Sequence, residues 1–176
     1  MKQTGVVRRI DNLGRIVIPK EIRKTLHIHD GELLELLINR DEIILKKYST
    51  VKELEDFFIK FISVFETFFN ANIMITDLDN VLVTSNKIKQ LYCGKPISKF
   101  VSNIINSRKS YLSTDIDSLE IIDGQNDNIN LFIIPFVVSG DPVGALVVFS
   151  EDISLDKMDI TLANVAGAFV NKYIEE

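Results

Sequence analysis

Seven cations crowd the first 24 residues, Lys2, Arg8, Arg9, Arg15, Lys20, Arg23 and Lys24, against only Asp11 and Glu21. Guanidinium and ammonium groups at that density can neutralise a row of phosphates or another anionic surface. The rest of the chain reverses the sign. Residues 51–176 hold ten cations and eighteen carboxylates, so a head of +5 is joined to a body of −8 in a chain of net charge −5. Such asymmetry points to nucleic acid or an anionic surface, with a solvated strand-and-helix face as the alternative that charge alone leaves open.

Other chemistries find no foothold. There is no glycine-rich phosphate loop and no Ser or Cys in a nucleophile motif. Asp77, Asp79, Asp123 and Asp127 fall in turns, where carboxylates are ordinary turn formers, so the chain reads as a non-enzyme. His27 and His29 alternate with Ile28, but two imidazoles without a further ligand make no metal site. No metal or cofactor is expected. The single Cys93 cannot form an internal disulfide and, lacking a close cationic neighbour, reads as an ordinary thiol. No apolar run approaches the ~20 residues of a membrane span and no secretory signal is visible, so a cytoplasmic protein without membrane contact is expected.

The cations must be positioned by short elements. Gly5–Ile10 and Arg15–Ile18 are β-branched runs that read as strands, and Gly14 between them can take a turn conformation that other residues resist. Pro19 suits the start of a helix in which Ile22 and Leu26 share one side and Lys20, Arg23 and Lys24 the other. Leu33–Ile38 and Glu42–Lys47 read as a second hairpin around Asn39-Arg40-Asp41, entered through Asp30-Gly31. The first fifty residues are thus predicted to be ββαββ. A unit of about 50 residues with so thin a core needs a staple or a partner, and with neither metal nor disulfide available the strands are expected to dimerise.

The run TGVVRRIDNLGRIVIPKEIRKTLHIHDGELLELLINRDEIILKKY resembles the AbrB-type swapped-hairpin DNA-binding domain, with its RxxDxxGRxxIPKExRxxLxIxxGDxxE pattern. The resemblance implies a β-barrel interleaved from two chains over residues 1–50, presenting basic side chains to double-stranded DNA. Matched position by position, those contacts are Arg8, Arg15, Arg23 and Lys24, with Arg9 and Lys2 as auxiliaries. Lys24 stands where the family more often has arginine; lysine keeps the charge and loses the planar fork, which suits a phosphate better than a base edge. Glu32 stands where the family commonly has Asp.

From residue 51 the composition changes. Val51, Leu54, Phe58, Phe61, Phe65 and Phe68 step 3, 4, 3, 4, 3, the spacing of a helical seam, while Phe57, Ile62 and Phe69 demand cover on a second face. Its carboxylates outnumber its lysines, which argues against a membrane-surface helix. Strands are predicted at Ile73–Thr76, Val81–Thr84, Ser118–Ile122, Leu131–Val138 and Val143–Phe149, with an amphipathic stretch at Ile97–Ile105 and a reversal at Ser139–Pro142. A closing helix from about Leu155 to Ile174 carries a second seam, Leu155, Met158, Leu162, Val165 and Phe169. The seams are expected to meet each other and their copies, so the predicted self-association interface comprises Leu54, Phe58, Phe61, Phe65, Phe68, Leu162, Val165 and Phe169.

This order, with ITDLDNVLVTS and PFVVSGDPVGALVVFS, resembles a GAF domain, which implies a sensor module over residues 51–176 with room for an unidentified small-molecule ligand. The fold class is therefore α+β: a swapped-hairpin barrel formed by two chains, followed by a GAF-like antiparallel sheet flanked by helices. Over its full length the chain is similar to a family of tetrameric transcription regulators that act in the developing forespore of endospore-forming bacteria, activating some genes and repressing others. The rival is an antitoxin, since related swapped-hairpin proteins bind a partner protein through a short tail that folds on contact. About 120 further residues with core-forming periodicity favour the sensor-linked regulator.

Overall fold

The computed structural model describes residues 5–28, 30–151 and 153–175, and the chain divides into two units, one ending at Tyr48 and one beginning at Ser49. In the first, α1 (Lys20–Thr25) precedes a hairpin of β1 (Leu34–Asn39) and β2 (Glu42–Lys47). Pro19 takes the cap position before α1, where a missing N–H costs nothing. The helix closes as Leu26 and Ile28 N–H groups donate to the carbonyls of Ile22 and Arg23. The hairpin keeps register from Leu34↔Lys47 to Asn39↔Glu42. Lys47 fastens it back, donating to the His27 carbonyl at 3.0 Å and pairing with Glu32 at 2.7 Å.

Two expected strands are not formed in the single chain: Gly5–Ile10 and Arg15–Ile18 lie outside every strand, leaving αββ in place of ββαββ. A strand persists only where a neighbour takes its N–H and C=O groups. Among the described residues the backbone–backbone bonds around the turn between these segments are Asp11 N–H to Arg15 C=O at 3.1 Å and Gly14 N–H to Asp11 C=O at 3.0 Å. Nor does the unit bury a core. Val7, Leu13, Val17, Leu36 and Ile38 are all exposed, and among the described residues the buried apolar side chains begin at Val51.

The second unit supplies its own core in three layers. Its antiparallel sheet runs β4 (Val81–Thr84), β3 (Asn72–Thr76), β8 (Asp141–Ser150), β7 (Gln125–Val138), β5 (Tyr111–Leu112), and β6 (Asp117–Ile122) pairs with the first half of β7. On one face α2 (Thr50–Glu53), α3 (Glu55–Phe65) and α6 (Lys157–Ile174) cover Ile73, Ile75, Phe132, Phe136, Leu146 and Val148. On the other, α4 (Lys89–Tyr92) and α5 (Lys99–Ser107) cover Met74, Leu131, Ile133, Val147 and Phe149. Alternation along β7 and β8 sends successive side chains to opposite cores, which is why both strands read as continuous apolar runs.

The seam helix is not continuous. Leu54 leaves helical geometry at φ −96°, ψ 18°, so α2 and α3 are separate, and α3 ends at Phe65 because Thr67 and Phe68 N–H groups turn back to Val64 and Phe65. Phe68 therefore lies beyond the helix expected to carry it. The polar run Gln125–Asn130, outside the predicted strands, is strand, because Gly124 at φ +76° closes a hairpin that pairs it with β6. Pro142 sits inside β8 rather than in the reversal: Ser139 and Gly140, both at positive φ, form a two-residue turn, and the proline falls at a register shift opposite Val137. There Asn171 of α6 accepts from Val137 N–H at 2.8 Å and donates to the Pro135 carbonyl at 3.2 Å.

Two buried polar groups knit the unit. Asn130 donates to Ser113 and to the Asp115 carbonyl, and its Oδ1 accepts from Leu155 N–H at 2.8 Å. The buried Asp159 accepts from Asn70 N–H at 3.2 Å, joining the start of α6 to the chain leaving α3. Helix α6 approaches β7 closely because Ala163, Ala166 and Gly167 present small side chains to it, and a Cβ on Gly167 would stand 2.8 Å from Ile134 Cγ2.

Candidate nucleic-acid interface

The turn between the two extended segments is built by Asp11. Its Oδ1 accepts from the N–H groups of Leu13 at 2.9 Å and Arg15 at 2.8 Å, while Oδ2 accepts from Arg15 Nε at 2.7 Å. Gly14 completes the reversal at φ +78°, a conformation that a Cβ would strain. The hydrogen bonds from the Arg15 backbone and then from its guanidinium hold the Asp11 carboxyl below its ordinary pKa. Arg15 is thereby oriented while its side chain stays 71% exposed.

Arg23 stands in the last turn of α1, its Nη1 2.6 Å from Asp30 Oδ1. Arg8, Arg9, Lys20 and Lys24 are exposed and form no ion pair with another described residue. Among the expected contacts the structure thus separates two arginines held by carboxylates from Arg8, Arg9 and Lys24, which are not. Lys2 and His29 lie outside the described residues. Sequence reasoning missed the two holding carboxylates; the signal for Asp11 was present, since an Asp two and four residues before the N–H groups it caps is an Asx-turn spacing.

In the second unit the predicted interface residues divide. Phe58 and Phe61 are buried in their own chain's core, Phe58 stacked on Phe136 at 5.9 Å. Leu54, Phe65 and Leu162 are half-buried, while Phe68, Val165 and Phe169 are exposed. Rings tie α3 to α6: Phe57 stacks on Tyr173 at 4.2 Å, and Phe61 on Phe169 at 6.3 Å. Even with these contacts α6 leaves Met158, Val165, Phe169 and Tyr173 exposed. Two surface depressions are present, about 350 Å³ beside Arg108, Pro135 and Asn171, and about 170 Å³ between α3 and β4 beside Glu66, Lys89 and the exposed Cys93.

Tyr92 packs on Phe149 at 5.3 Å under α4, and its hydroxyl donates to Asp127 at 2.9 Å. Burial, and then that bond to a carboxylate, push its pKa upward, so it stays a neutral donor. Among the described residues no group of three or more His, Cys, Asp or Glu could hold a metal ion, and no helix is long and apolar enough to cross a membrane.

A cationic head without a core of its own is thus joined to an antiparallel sheet domain with two cores. Comparison with known proteins gives the same division. Residues 53–175 match the model described as stage V sporulation protein T C-terminal, transcription factor, and residues 7–53 match that described as antidote-toxin recognition MazE, bacterial antitoxin. Stage V sporulation protein T of Bacillus subtilis (strain 168) is 38% identical over 178 residues, covering 100% of both chains. The transition state regulatory protein AbrB of the same organism is 54% identical over 48 residues, which are 27% of this chain and 50% of that protein.

The chain belongs to the stage V sporulation protein T family. The second unit has a GAF-like fold. The GAF domain/HD domain protein from Geobacter sulfurreducens superposes with a TM-score of 0.53 at 10% identity, over 74% of this chain and 99% of that one. Residues 122 to 287 of a methyl-accepting chemotaxis protein superpose with a TM-score of 0.55 at 12% identity, over 70% and 89%.

Proposed function

We propose that this protein is a cytoplasmic DNA-binding regulator of sporulation genes, acting in the forespore as activator of some and repressor of others. In this reading residues 1–50 form a swapped-hairpin barrel with the same segment of a second chain. Residues 51–176 sense and oligomerise, pairing two barrels into a tetramer. The observation that carries it is the first unit, where an ordered cationic set stands on a segment whose apolar side chains and strand edges find no cover within one chain. A second copy supplies that cover and doubles the cationic face. Joining two barrels raises apparent DNA affinity by effective concentration, without new contacts. Arg8, Arg9, Arg15, Arg23, Lys24 and Lys2 carry the DNA contact, and the strip around Val165 and Phe169 carries the contact between copies.

The antitoxin reading is not favoured. Whole-chain similarity runs to a protein whose family model is described as that of a transcription factor, and the continuation beyond residue 50 is a complete domain with two cores rather than a short tail. A small molecule in the second unit would act by shifting the placement of the barrels. An effector that binds there without altering DNA affinity refutes that coupling.

The test is DNA binding by the full-length protein across a salt series. Binding should be steep in salt, and Arg8→Ala or Lys24→Ala should each lower the slope by about 0.9. Absence of binding at low salt overturns the reading and returns the head to a protein-docking role.

A further inference from the structure

We propose that Asp11 is a positioning residue that makes Arg15 a sequence-reading contact, with Arg8, Arg9 and Lys24 as phosphate contacts; this deepens the DNA-binding reading and rests on it. A carboxylate in the middle of a cationic head repels every phosphate and so lowers affinity for any duplex. What it supplies is orientation. One carboxyl oxygen holds the Arg15 backbone N–H at 2.8 Å and the other holds its Nε at 2.7 Å, fixing the side chain at both ends.

With Nε occupied, the N–H groups of Nη1 and Nη2 remain as a planar pair at the tip. That pair matches the two acceptors, O6 and N7, that guanine shows in the major groove. A phosphate also accepts such a fork, but it accepts a freely rotating one equally well, so a fixed orientation matters only where the acceptors are fixed too. Arg23 differs. Its Nη1 is itself occupied by Asp30, whose side chain is 95% exposed and makes no second bond among the described residues, so the Arg23 tip is half-used and loosely held. Arg8 and Arg9 have no such restraint, and Lys24 has no fork at all. The head thus combines one aimed guanidinium with several unaimed cations.

The experiment uses the full-length protein and a duplex enriched by the wild type from a random-sequence pool, compared with a scrambled duplex of the same length and composition. Asp11→Asn and Arg15→Lys should each weaken binding to the enriched duplex roughly tenfold to a hundredfold. Both should leave the scrambled duplex within about twofold, or tighter for Asp11→Asn, which removes a repelling charge. The double variant should be no worse than Arg15→Lys alone, because Asp11 acts through Arg15.

Equal weakening on both duplexes by Asp11→Asn overturns the proposal and leaves the carboxylate a turn former. Arg15→Lys keeps the Asp11 bonds to the Leu13 and Arg15 backbone intact, so it tests the same idea with the turn undisturbed; full retention of preference by this variant overturns it as well. A wild type that enriches nothing and binds neither duplex removes the DNA-binding reading itself, whereas a wild type that binds alongside an unaffected Asp11→Asn removes only the positioning role.

Discussion

Replacing Val165 by aspartate should separate copies of this protein without unfolding any of them. Val165 lies on α6 at 58% exposure, belongs to neither core, and neighbours the exposed Phe169 and the half-buried Leu162. Full burial of a valine is worth about 1.5–2 kcal/mol, so covering its exposed share contributes about 1 kcal/mol per chain and about 2 across a twofold interface. A carboxylate there adds a desolvation cost of several kcal/mol per ion. The sum exceeds about 4 kcal/mol, which weakens association by at least about a thousandfold. Light scattering on the full-length wild type, Val165→Asp and the control Asn164→Asp should show a reduced mass for Val165→Asp alone. The thermal transition of the second unit should stay near that of the wild type, since an exposed side chain is being changed. A Val165→Asp protein of wild-type mass at micromolar concentration would refute the reasoning, because the strip would then be solvated.

Close packing offers a paired comparison by denaturant unfolding. A Cβ on Gly144 would land on the Thr76 carbonyl oxygen, a backbone atom that cannot move aside, so Gly144→Ala should cost about 3 kcal/mol. Gly167→Ala meets Ile134 Cγ2, part of a β-branched side chain with little freedom at χ1, and gains about 1 kcal/mol of helix propensity, so a smaller net loss of about 1 kcal/mol is expected. Asn130→Asp replaces a donor facing three acceptors with a carboxylate, and a loss of about 3 kcal/mol, seen as a lowered denaturation midpoint, is expected. The folded pKa of Asp11 is depressed, so its contribution is complete above the ordinary aspartate value of 3.8 and is lost as pH falls through the folded value below it. Gly14 and Arg15 amide signals should therefore stay constant from pH 5 to 8 and shift only under more acid conditions.

The parts legible in the sequence were those whose period matches their environment. Leu131–Val138 and Val143–Phe149 are buried on both faces and read as apolar runs, and the closing helix forms, though it starts at Lys157, beyond Leu155, and packs on the sheet through Ala163, Ala166, Gly167 and Val170 while Met158, Val165 and Phe169 of the expected seam stay exposed. What misled was context that periodicity cannot carry. The 3-4 spacing from Val51 to Phe68 continues through a break at Leu54 and past the last turn of α3, where Phe68 is exposed and the neighbouring Phe69 enters the core instead. Gln125–Asn130 looks like a loop by composition, yet it lies beside β6 with Asn126 and Asn128 exposed and Asn130 buried, and only cross-strand pairing reveals it. In the head the cations were legible as charge, whereas the restraint on Arg15 depends on a three-bond turn that a count of charges ignores.

The uncovered first unit has a consequence in time as well as in structure. Fourteen large apolar side chains from Val6 to Leu45 remain exposed in one chain, each worth about 1.5–3 kcal/mol when buried. On the proposed pairing with a second copy, such a segment completes its folding by encounter, so its formation is second order and slows as the protein is diluted. Between synthesis and encounter its open strand edges are open to proteolysis and aggregation. Under that pairing abundance sets a threshold: a few scattered chains would be removed before they pair, and a burst of synthesis would pair before it is removed.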